Sequence, residues 1–258
     1  MLSGLWRSWQ RSREAAALRR RAIPDDLWKR TLVRFPFLRW RSPEDQLELR
    51  RLTSLFLDRK EFSAAGGLRL TDAMVVSIAA QAVLPVLKLG LARYECFVGI
   101  VVHADQVVAR REVHDDDGLV HEYDETLAGE AVHGGPVMLS WRDVREAGRS
   151  TAARPNLVIH KFALVVEMAD GLSDSVPLPP PGLAVWQPQF DAFVRRAEAE
   201  EDTALDPYGA SGIDEFFAVA SESFFVDPHG LAAEHEPLYD MLAGLYLQDP
   251  RRWAPAAS

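Results

Sequence analysis

The segment from Asn156 to Met168 places the strongest constraint on the fold, because it is apolar on nearly every side. Its order, Asn-Leu-Val-Ile-His-Lys-Phe-Ala-Leu-Val-Val-Glu-Met, is interrupted by polar side chains only at His160, Lys161 and Glu167 after the first residue. A helix that is hydrophobic all round belongs in the interior of a protein, since no face of it suits water. We therefore predict a buried helix over 154–168 that carries a histidine and a lysine into the core.

Three helices are predicted before the middle of the chain. Each begins with a typical start signal: Pro24 followed by acids, Ser42 followed by Pro43, and Thr71 followed by Asp72. The third helix is expected to end near Leu84. The inner face of the second helix is predicted to carry Leu47, Leu52, Leu55 and Phe56.

A β-rich middle follows these helices. The apolar run 97–102 predicts a buried strand, and further strands are predicted over 107–113, 119–123 and 136–141. The acidic segment 114–118 is interpreted as a solvated hairpin loop. Helices are predicted again over 186–201, 211–225 and 237–247. Helices, then a small central sheet, then helices predict the α+β class.

Charge and cysteine content narrow the class of protein. The chain of 258 residues is long enough to bury a core, and its net charge of -9 argues against a general nucleic-acid binder, which needs a basic face. The single cysteine, Cys96, excludes an internal disulfide framework and fits a reducing compartment. No apolar run reaches the roughly 18 residues of a membrane span. We expect a cytoplasmic protein.

The first part of the chain, 1–22, carries six arginines and one glutamate. Two interpretations stay open: a surface helix that contacts anionic lipid or a partner, and a basic N-terminal helix without such a role. It lacks the apolar stretch and cleavage site of a secretory signal. We divide the chain into this basic segment, a single domain over 23–250, and a tail over 251–258.

The position of His160 matches the frame of a zinc-peptidase helix. In the motif H-E-x-x-H, two histidines one turn apart bind zinc, and the glutamate between them is the general base. Here Lys161 occupies the base position and Leu164 the second ligand position. A strand over 135–141 comes before this helix. A helix that begins near Glu215 follows it, and such a downstream helix usually supplies the third ligand.

Short pieces of sequence between residues 23 and 250 extend this pattern over nearly the whole chain. In chain order they are Ile23-Pro24 with Leu27-Trp28, Leu70-Thr71-Asp72, Ile78-Ala79-Ala80-Gln81-Ala82, Leu84-Pro85-Val86-Leu87, Leu127-Ala128-Gly129-Glu130-Ala131, Gly135-Pro136-Val137 with Leu139-Ser140-Trp141, Asn156-Leu157-Val158-Ile159-His160, Glu215-Phe216-Phe217-Ala218-Val219 with Ser221-Glu222, and Leu245-Tyr246 with Asp249-Pro250. In this order they resemble the Mlc titration factor A (MtfA) family of bacterial zinc-dependent peptidases.

The resemblance implies a gluzincin-like fold related to the catalytic domain of anthrax lethal factor, one bound zinc and aminopeptidase-like activity. It also implies a link to Mlc, a repressor of glucose-uptake genes that the family's namesake binds and titrates from DNA. Position by position, it assigns metal-ligand positions to His160 and Glu215, with Leu164 in place of the second histidine and Lys161 in place of the general base. Tyr208 matches a family tyrosine that could steady an oxyanion.

The resemblance also implies that Glu167 supports the metal-ligand positions without binding the metal itself, because the family tends to place an aspartate at this position. Plainer interpretations stay open beside these roles. His160 can be a hydrogen-bonded core histidine, Glu215 an acid favoured by its helix N-terminus, and Tyr208 a packing residue. Glu222, two turns after Glu215, is either a support for the site or a surface acid.

The substitutions argue against a working zinc site. A catalytic zinc takes about three protein ligands and a water, and leucine cannot coordinate. An ammonium at Lys161, at ~5 Å and an effective dielectric near ~20, would repel the zinc by about 7 kcal/mol. It also offers no carboxylate to take a proton from the attacking water. Without a metal, Lys161 is predicted to pair with Glu215, with Leu164 filling the space of the lost imidazole.

The sequence therefore favours an MtfA-like protein whose zinc-peptidase site has been lost, so that any zinc binding is weak or absent. Such a protein would act by binding a transcriptional regulator of the Mlc kind, or a peptide in the vestigial cleft, without contacting nucleic acid directly. Two alternatives remain. One is a functional or weakened zinc-dependent aminopeptidase with an unusual ligand, and the other is a purely structural role without a peptide cleft.

Overall fold

The computed structural model describes residues 2–105, 107–114, 120–127, 135–147, 155–168 and 183–255, and the side chains of 11–105, 135–147, 155–167 and 185–255. Its α-helices in these ranges are α1 (Leu2–Arg20), α2 (Asp25–Arg34), α3 (Pro43–Arg59), α4 (Asp72–Val83), α5 (Trp141–Ala147), α6 (Leu157–Met168), α7 (Gln187–Glu198), α8 (Ile213–Val226), α9 (Pro228–Glu234) and α10 (Glu236–Tyr246). Its strands are β1 (Glu61–Ala65), β2 (Gly99–His103), β3 (Val107–His114), β4 (Val120–Leu127) and β5 (Val137–Ser140).

Polar side chains cap several of these helices as their residue types require, and α3, α4 and α6 are among them. Ser42 Oγ accepts a hydrogen bond from the backbone N–H of Asp45 at the start of α3, at 3.1 Å. Thr71 Oγ1 accepts one from Met74 at the start of α4, at 3.4 Å. Asn156 Oδ1 accepts one from Ile159 at the start of α6, at 3.0 Å. Each bond satisfies a backbone donor that the helix itself leaves free.

The inner face of α3 differs from the prediction at one residue. Leu52, Leu55 and Phe56 are buried as expected, but Leu47 is 72% exposed. Leu47 and Phe56 are separated by about two and a half helical turns, so they lie on opposite sides of the helix. Leu49 is fully buried instead.

Three strands form a parallel sheet in the order β1-β2-β5. In the centre, Ile100 of β2 pairs with Phe62 on one side and with Val137 on the other. Parallel neighbours need a crossover connection, and α4 lies in the one between β1 and β2. β3 and β4 form a separate antiparallel pair. The mixture of helices with a small sheet is of the α+β kind. The short elements β1, α5 and α9 had not been predicted.

The helix predicted to be buried, α6, lies in the core of the described structure. Its residues Val158, Ile159, Phe162 and Val166 are fully buried. The Phe162 ring contacts three other aromatic rings edge to face, with centroid distances of 5.2 Å to Tyr94 and 5.8 Å to both Phe56 and Phe97. This cluster connects α6 to α3 and to the segment before β2. It therefore fixes the position of the two residues that precede Phe162, His160 and Lys161.

Two further findings concern the sequence predictions. No helix in the described ranges combines the length and apolar character that a membrane crossing requires. The acidic loop residues 115–118 lie outside the described residues, so the interpretation of that loop stays a prediction.

Candidate functional site

His160 lies between two carboxylates that α8 supplies. Its Nε2 is 2.8 Å from Glu215 Oε2, and its Nδ1 is 2.6 Å from Glu222 Oε1. Glu215 and Glu222 are about two turns apart on α8, so both project from the same side of that helix. His160 and Glu222 are buried, and Glu215 is half-buried. The structure thus brings together His160 and Glu215, as the resemblance implied, and adds Glu222.

A chain of hydrogen bonds holds Glu222 in place. The backbone N–H of Asn156 donates to Glu222 Oε2. Asn156 also donates through Nδ2 to Gln81 Oε1 at 2.9 Å, and Gln81 donates through Nε2 to the carbonyl of Ser77 at 3.0 Å. These contacts run from α4 through the start of α6 to α8. They fix the carboxylate that receives His160 Nδ1–H, and so they fix the orientation of the ring.

The contact between His160 and Glu215 has a different character. Nε2 and Oε2 are 2.8 Å apart, and Glu215 is half-buried whereas Glu222 is buried. Both the hydrogen bond with His160 and the charge of the imidazole act on the Glu215 carboxylate.

The pKa values reflect this arrangement. Burial by itself would lower the pKa of His160, but the carboxylates of Glu215 and Glu222 outweigh it and raise the pKa to about 8. Burial would raise the pKa of Glu215, yet the neighbouring His160, the charge of Lys161 and a hydrogen bond with Tyr208 lower it below its ordinary value. The site therefore favours an imidazolium beside an ionised carboxylate.

Lys161 and Leu164 occupy the two positions where the family motif has a glutamate and a histidine. The Lys161 residue is only 6% exposed, and its charge lowers the pKa of Glu215. His160 makes a short contact with Glu215, and the charge of Lys161 also acts on that carboxylate. The predicted pairing of Lys161 with Glu215 stays a prediction. Leu164 is half-buried and has no atom that can bind a metal.

Tyr208 lies at the edge of this group. It belongs to a 3₁₀ turn over Pro207–Ser211, in which Asp206 Oδ1 accepts a hydrogen bond from the Tyr208 N–H at 2.9 Å. The Tyr208 ring centroid is 6.3 Å from that of His160, and the residue is 56% exposed. Gly209 allows the turn to pack closely against α7 and α8, because a Cβ there would lie 3.3 Å from the Phe193 ring and 3.4 Å from Phe216 Cα.

The sequence assigns no role in this network to Asn156 or Gln81, and it leaves the role of Glu222 open. Asn156 is the last residue before an apolar helix, which is a signal for an N-cap, but nothing in its position indicates a bond to Glu222. Gln81 is a buried polar residue in a mostly apolar helix, and such a residue needs a buried partner. The residue that supports His160 is Glu222. For Glu167, the role implied by the resemblance stays a prediction.

A cleft of about 420 Å³ opens beside His160. Four elements line it: α5, the start of α6, the turn that carries Tyr208, and α8. Its lining residues include Asp143, Glu146, Pro155, Leu157, Lys161, Asp206, Tyr208, Val219 and Glu222. The position of the cleft next to the family's metal-ligand positions makes it the candidate binding site of the molecule.

The chemistry of these side chains does not match a catalytic zinc site. At the motif positions, only His160 and Glu215 carry a metal-ligating atom, whereas a catalytic zinc takes about three protein ligands. Among the described residues, no group of three or more His, Cys, Asp or Glu side chains is arranged to hold a metal ion. The buried charge of Lys161 opposes a cation at the same place.

Comparison with known proteins gives an independent result for nearly the whole chain. The model of the glucose-regulated metallo-peptidase M90 family matches residues 6–247. Mlc titration factor A of Klebsiella pneumoniae (strain 342) is 32% identical over 231 residues, which is 86% of this chain and 86% of the relative. The protein of the same name from Serratia proteamaculans is 33% identical over 220 residues, or 81% and 83% of the two chains. An uncharacterised protein of Synechocystis is 30% identical over 253 residues, or 95% and 90%.

Proposed function

Because the chain belongs to the glucose-regulated metallo-peptidase M90 family, we propose that it is a member whose zinc-peptidase site has been lost and which acts by binding a partner. The partner is a transcriptional regulator of the Mlc kind or a peptide that enters the cleft beside His160. The first option is supported by the name that several relatives share, Mlc titration factor A.

The observation that carries this proposal is the pair of residues at the motif positions. Leu164 removes a ligand from the metal, and Lys161 replaces the carboxylate that would act as general base. Lys161 is also buried, so its charge is not screened by water as a surface lysine would be. Together they remove both the metal and the base on which the family's chemistry depends.

The remaining charges support a site that is stable without metal. Two carboxylates of α8 flank His160, at 2.8 Å and 2.6 Å. An imidazolium with Lys161 beside it supplies the positive charge that Glu215 would otherwise take from an ion. The cleft next to this group stays open, and it gives a peptide or a protein segment a place to bind.

The second candidate is a functional or weakened zinc-dependent aminopeptidase. One observation favours it: His160 is held from behind by Glu222 and faces Glu215 with its other nitrogen, as a zinc-binding histidine does. This candidate requires a third ligand from elsewhere.

Metal analysis separates the two candidates. The protein is purified without chelator, its metal content is measured, and it is assayed with aminoacyl-anilide substrates before and after chelator treatment. We expect far less than one zinc per chain and no hydrolysis that the chelator abolishes. About one zinc per chain with chelator-sensitive hydrolysis would establish the aminopeptidase and reject the proposal.

Partner binding is tested separately with a purified Mlc-type repressor in a calorimetric titration. We expect a saturable complex that does not change when a chelator is present. The absence of any complex with the repressor, together with the absence of peptide binding in the cleft, would leave the structural role as the remaining interpretation.

A further inference from the structure

We propose that a second cavity, at the end of α3, binds a small organic monocarboxylate with an apolar body. This cavity has a volume of about 320 Å³, and no residue lines both it and the cleft beside His160. The inference therefore goes beyond the proposed function and does not depend on it. It follows from two cations without acidic partners, one carboxylate that limits the charge of the ligand, and an apolar wall.

Three segments of the chain form this cavity: the end of α3, the 3₁₀ turn over Leu91–Tyr94 with the residue after it, and the approach to β2. Its lining residues are Phe56, Arg59, Lys60, Leu91, Tyr94, Glu95, Phe97 and Val98. The volume is at the lower end of the range for small-molecule sites. The cavity therefore suits a compact ligand.

Lys60 is the half-buried cation of this cavity. Its Nζ donates hydrogen bonds to the carbonyl oxygens of Tyr94 and Phe97, and it lies 3.9 Å from the centroid of the Phe97 ring. These bonds use two of the three N–H groups of the ammonium, so one N–H is left for a further acceptor. In the part of the chain that the structure describes, no carboxylate forms an ion pair with Lys60.

The pKa of Lys60 is consistent with a site for an anion. Burial lowers this pKa from 10.5 to about 8, and it outweighs the opposing effects of Cys96 and Glu95. The protein thus holds the ammonium at a cost in free energy. A carboxylate that accepts the remaining N–H offsets part of that cost, because a hydrogen bond between two charged groups is stronger than one to a neutral carbonyl.

Arg59 and Glu95 determine the charge that the ligand should carry. Arg59 is exposed at the end of α3 and forms no ion pair with any described residue. Its planar guanidinium matches the two oxygens of a carboxylate. The two cations and Glu95 give the lining of the cavity a net charge of one positive unit. A monoanion complements this charge, whereas Glu95 would repel a phosphate dianion more strongly.

The rest of the wall is apolar. Phe56 and Leu91 are buried, and Val98 is 55% exposed at the cavity. A hydrocarbon body that covers Val98 removes its surface from water, which favours binding. Stabilisation of the end of α3 is the plainer role of Arg59 and Lys60, since a helix favours positive charge there. That role does not involve the apolar wall, and the experiment below separates the two.

The test compares four small probes on the full chain. Hexanoate, hexanamide, acetate and inorganic phosphate are each titrated and followed by ligand-observed NMR. Hexanamide has nearly the shape of hexanoate without its charge, acetate has the charge without the apolar body, and phosphate supplies the dianion. We expect hexanoate to bind at least about tenfold more tightly than each of the other three probes.

Two cavity variants and a remote control locate the binding. Arg59→Gln should weaken hexanoate binding by about fivefold and leave hexanamide unchanged, whereas Glu95→Gln should strengthen hexanoate binding by about twofold. Arg195→Gln makes the same charge change as Arg59→Gln at an exposed position of α7, outside the cavity, and it should have no effect. All three variants keep the bonds of Lys60 to the two carbonyls, so the test does not require a folded Lys60 variant.

A labelling experiment reports on Lys60 itself. The chain has four lysines, Lys29, Lys60, Lys88 and Lys161, so acetylation of each can be followed by mass spectrometry. Saturating hexanoate should slow the acetylation of Lys60 by about fivefold and leave that of the exposed Lys29 unchanged.

Several outcomes would overturn the inference. They are equal binding of hexanoate and hexanamide, equal effects of Arg59→Gln and Arg195→Gln, the absence of saturable hexanoate binding, and the absence of protection at Lys60. Any of them would leave Arg59 and Lys60 with their role at the end of α3 alone. None of them bears on zinc content, on hydrolysis or on binding of the repressor, which test the proposed function.

Discussion

At the scale of single residues, His160 has two carboxylate neighbours that are distant in sequence and adjacent on α8. Glu222 is itself held by the backbone of Asn156, so the ring nitrogen that faces it has a fixed acceptor. The other nitrogen faces Glu215, with Lys161 and Tyr208 beside that carboxylate. The position of the histidine is therefore determined by contacts with these protein groups.

This environment predicts how stability depends on pH. The pKa of His160 is raised from its ordinary value of 6.5 to about 8, so the protonated form is favoured in the folded state. Its stabilisation is fully present below the unfolded pKa and is lost as the pH rises through the folded one. We expect the free energy of unfolding, measured with urea, to fall by about 2 kcal/mol between about pH 6 and about pH 9 because of this group.

The His160→Gln variant isolates that contribution. The pKa of Lys60 is lowered to about 8 and that of His235 is also lowered, so both groups titrate in the variant as in the native protein. The difference between the two stability curves therefore belongs to His160. Parallel curves for the two proteins would contradict the prediction.

The motif residues make a second prediction at this scale. The double substitution Lys161→Glu with Leu164→His restores the H-E-x-x-H frame on α6 opposite Glu215. We expect the double variant to bind about one zinc per chain. Three ligands and the carboxylate of the new glutamate then converge at the place where the charge of Lys161 now repels a cation. Metal analysis after dialysis against zinc measures this directly.

The single variants and a triple variant serve as controls. Leu164→His alone retains the buried charge of Lys161 and should bind zinc more weakly than the double variant. Adding Glu215→Gln to the double variant should again lower zinc binding. A folded double variant that gains no metal would count against the interpretation of α6 as a former zinc helix.

At the scale of elements, the residue at the start of α6 caps its own helix and also connects it to two other helices. Asn156 caps the helix through Oδ1, donates to Gln81 on α4 through Nδ2, and donates to Glu222 on α8 through its backbone. Ser42 at the start of α3 forms a cap hydrogen bond of the same kind, and it is the matched comparison. The difference between the two sites measures what the connection to α4 contributes.

We expect Asn156→Ala to lower the free energy of unfolding by about 2–3 kcal/mol, because it removes a cap and leaves Gln81 Oε1 buried without its donor. Ser42→Ala should cost only about 1 kcal/mol. Chemical denaturation of both variants checks the order. Equal losses would show that the bond to Gln81 adds nothing to the cap.

At the scale of the whole molecule, the aromatic cluster of Phe56, Tyr94, Phe97 and Phe162 holds the site helix against α3 and the approach to β2. Removing the Phe162 ring leaves a cavity that the surrounding rings cannot fill without leaving their edge-to-face contacts. Loss of these contacts weakens the packing of the whole helix α6, and it therefore also affects the positions of His160 and Lys161.

We expect Phe162→Ala to lower the free energy of unfolding by about 3–5 kcal/mol. The exposed Leu47 provides the control, since Leu47→Ala should change stability by less than about 0.5 kcal/mol. Calorimetric melting of the two variants tests both values. A large loss from Leu47→Ala would mean that this side chain is covered by a contact that the structure does not contain.

Local sequence patterns were sufficient to predict most of the long elements. The starts of α3 and α4 followed from Ser42 and Thr71, because a cap depends only on residues within one turn. The burial of α6 followed from its apolar character on all sides. The short elements β1, α5 and α9 were missed, since strands and helices of this length depend on their neighbours more than on their own composition.

By itself, the sequence determined that the motif has lysine at the base position and leucine at a ligand position, because both depend only on residue identity. It also determined, through the resemblance, that His160 and Glu215 belong to one site. Only the tertiary structure decided that Glu222 and Asn156 complete this site, and that the imidazole of His160 lies in short contact with Glu215. The reason is that hydrogen bonds between distant helices depend on how the packed core sets the helices against one another, and no local pattern records that.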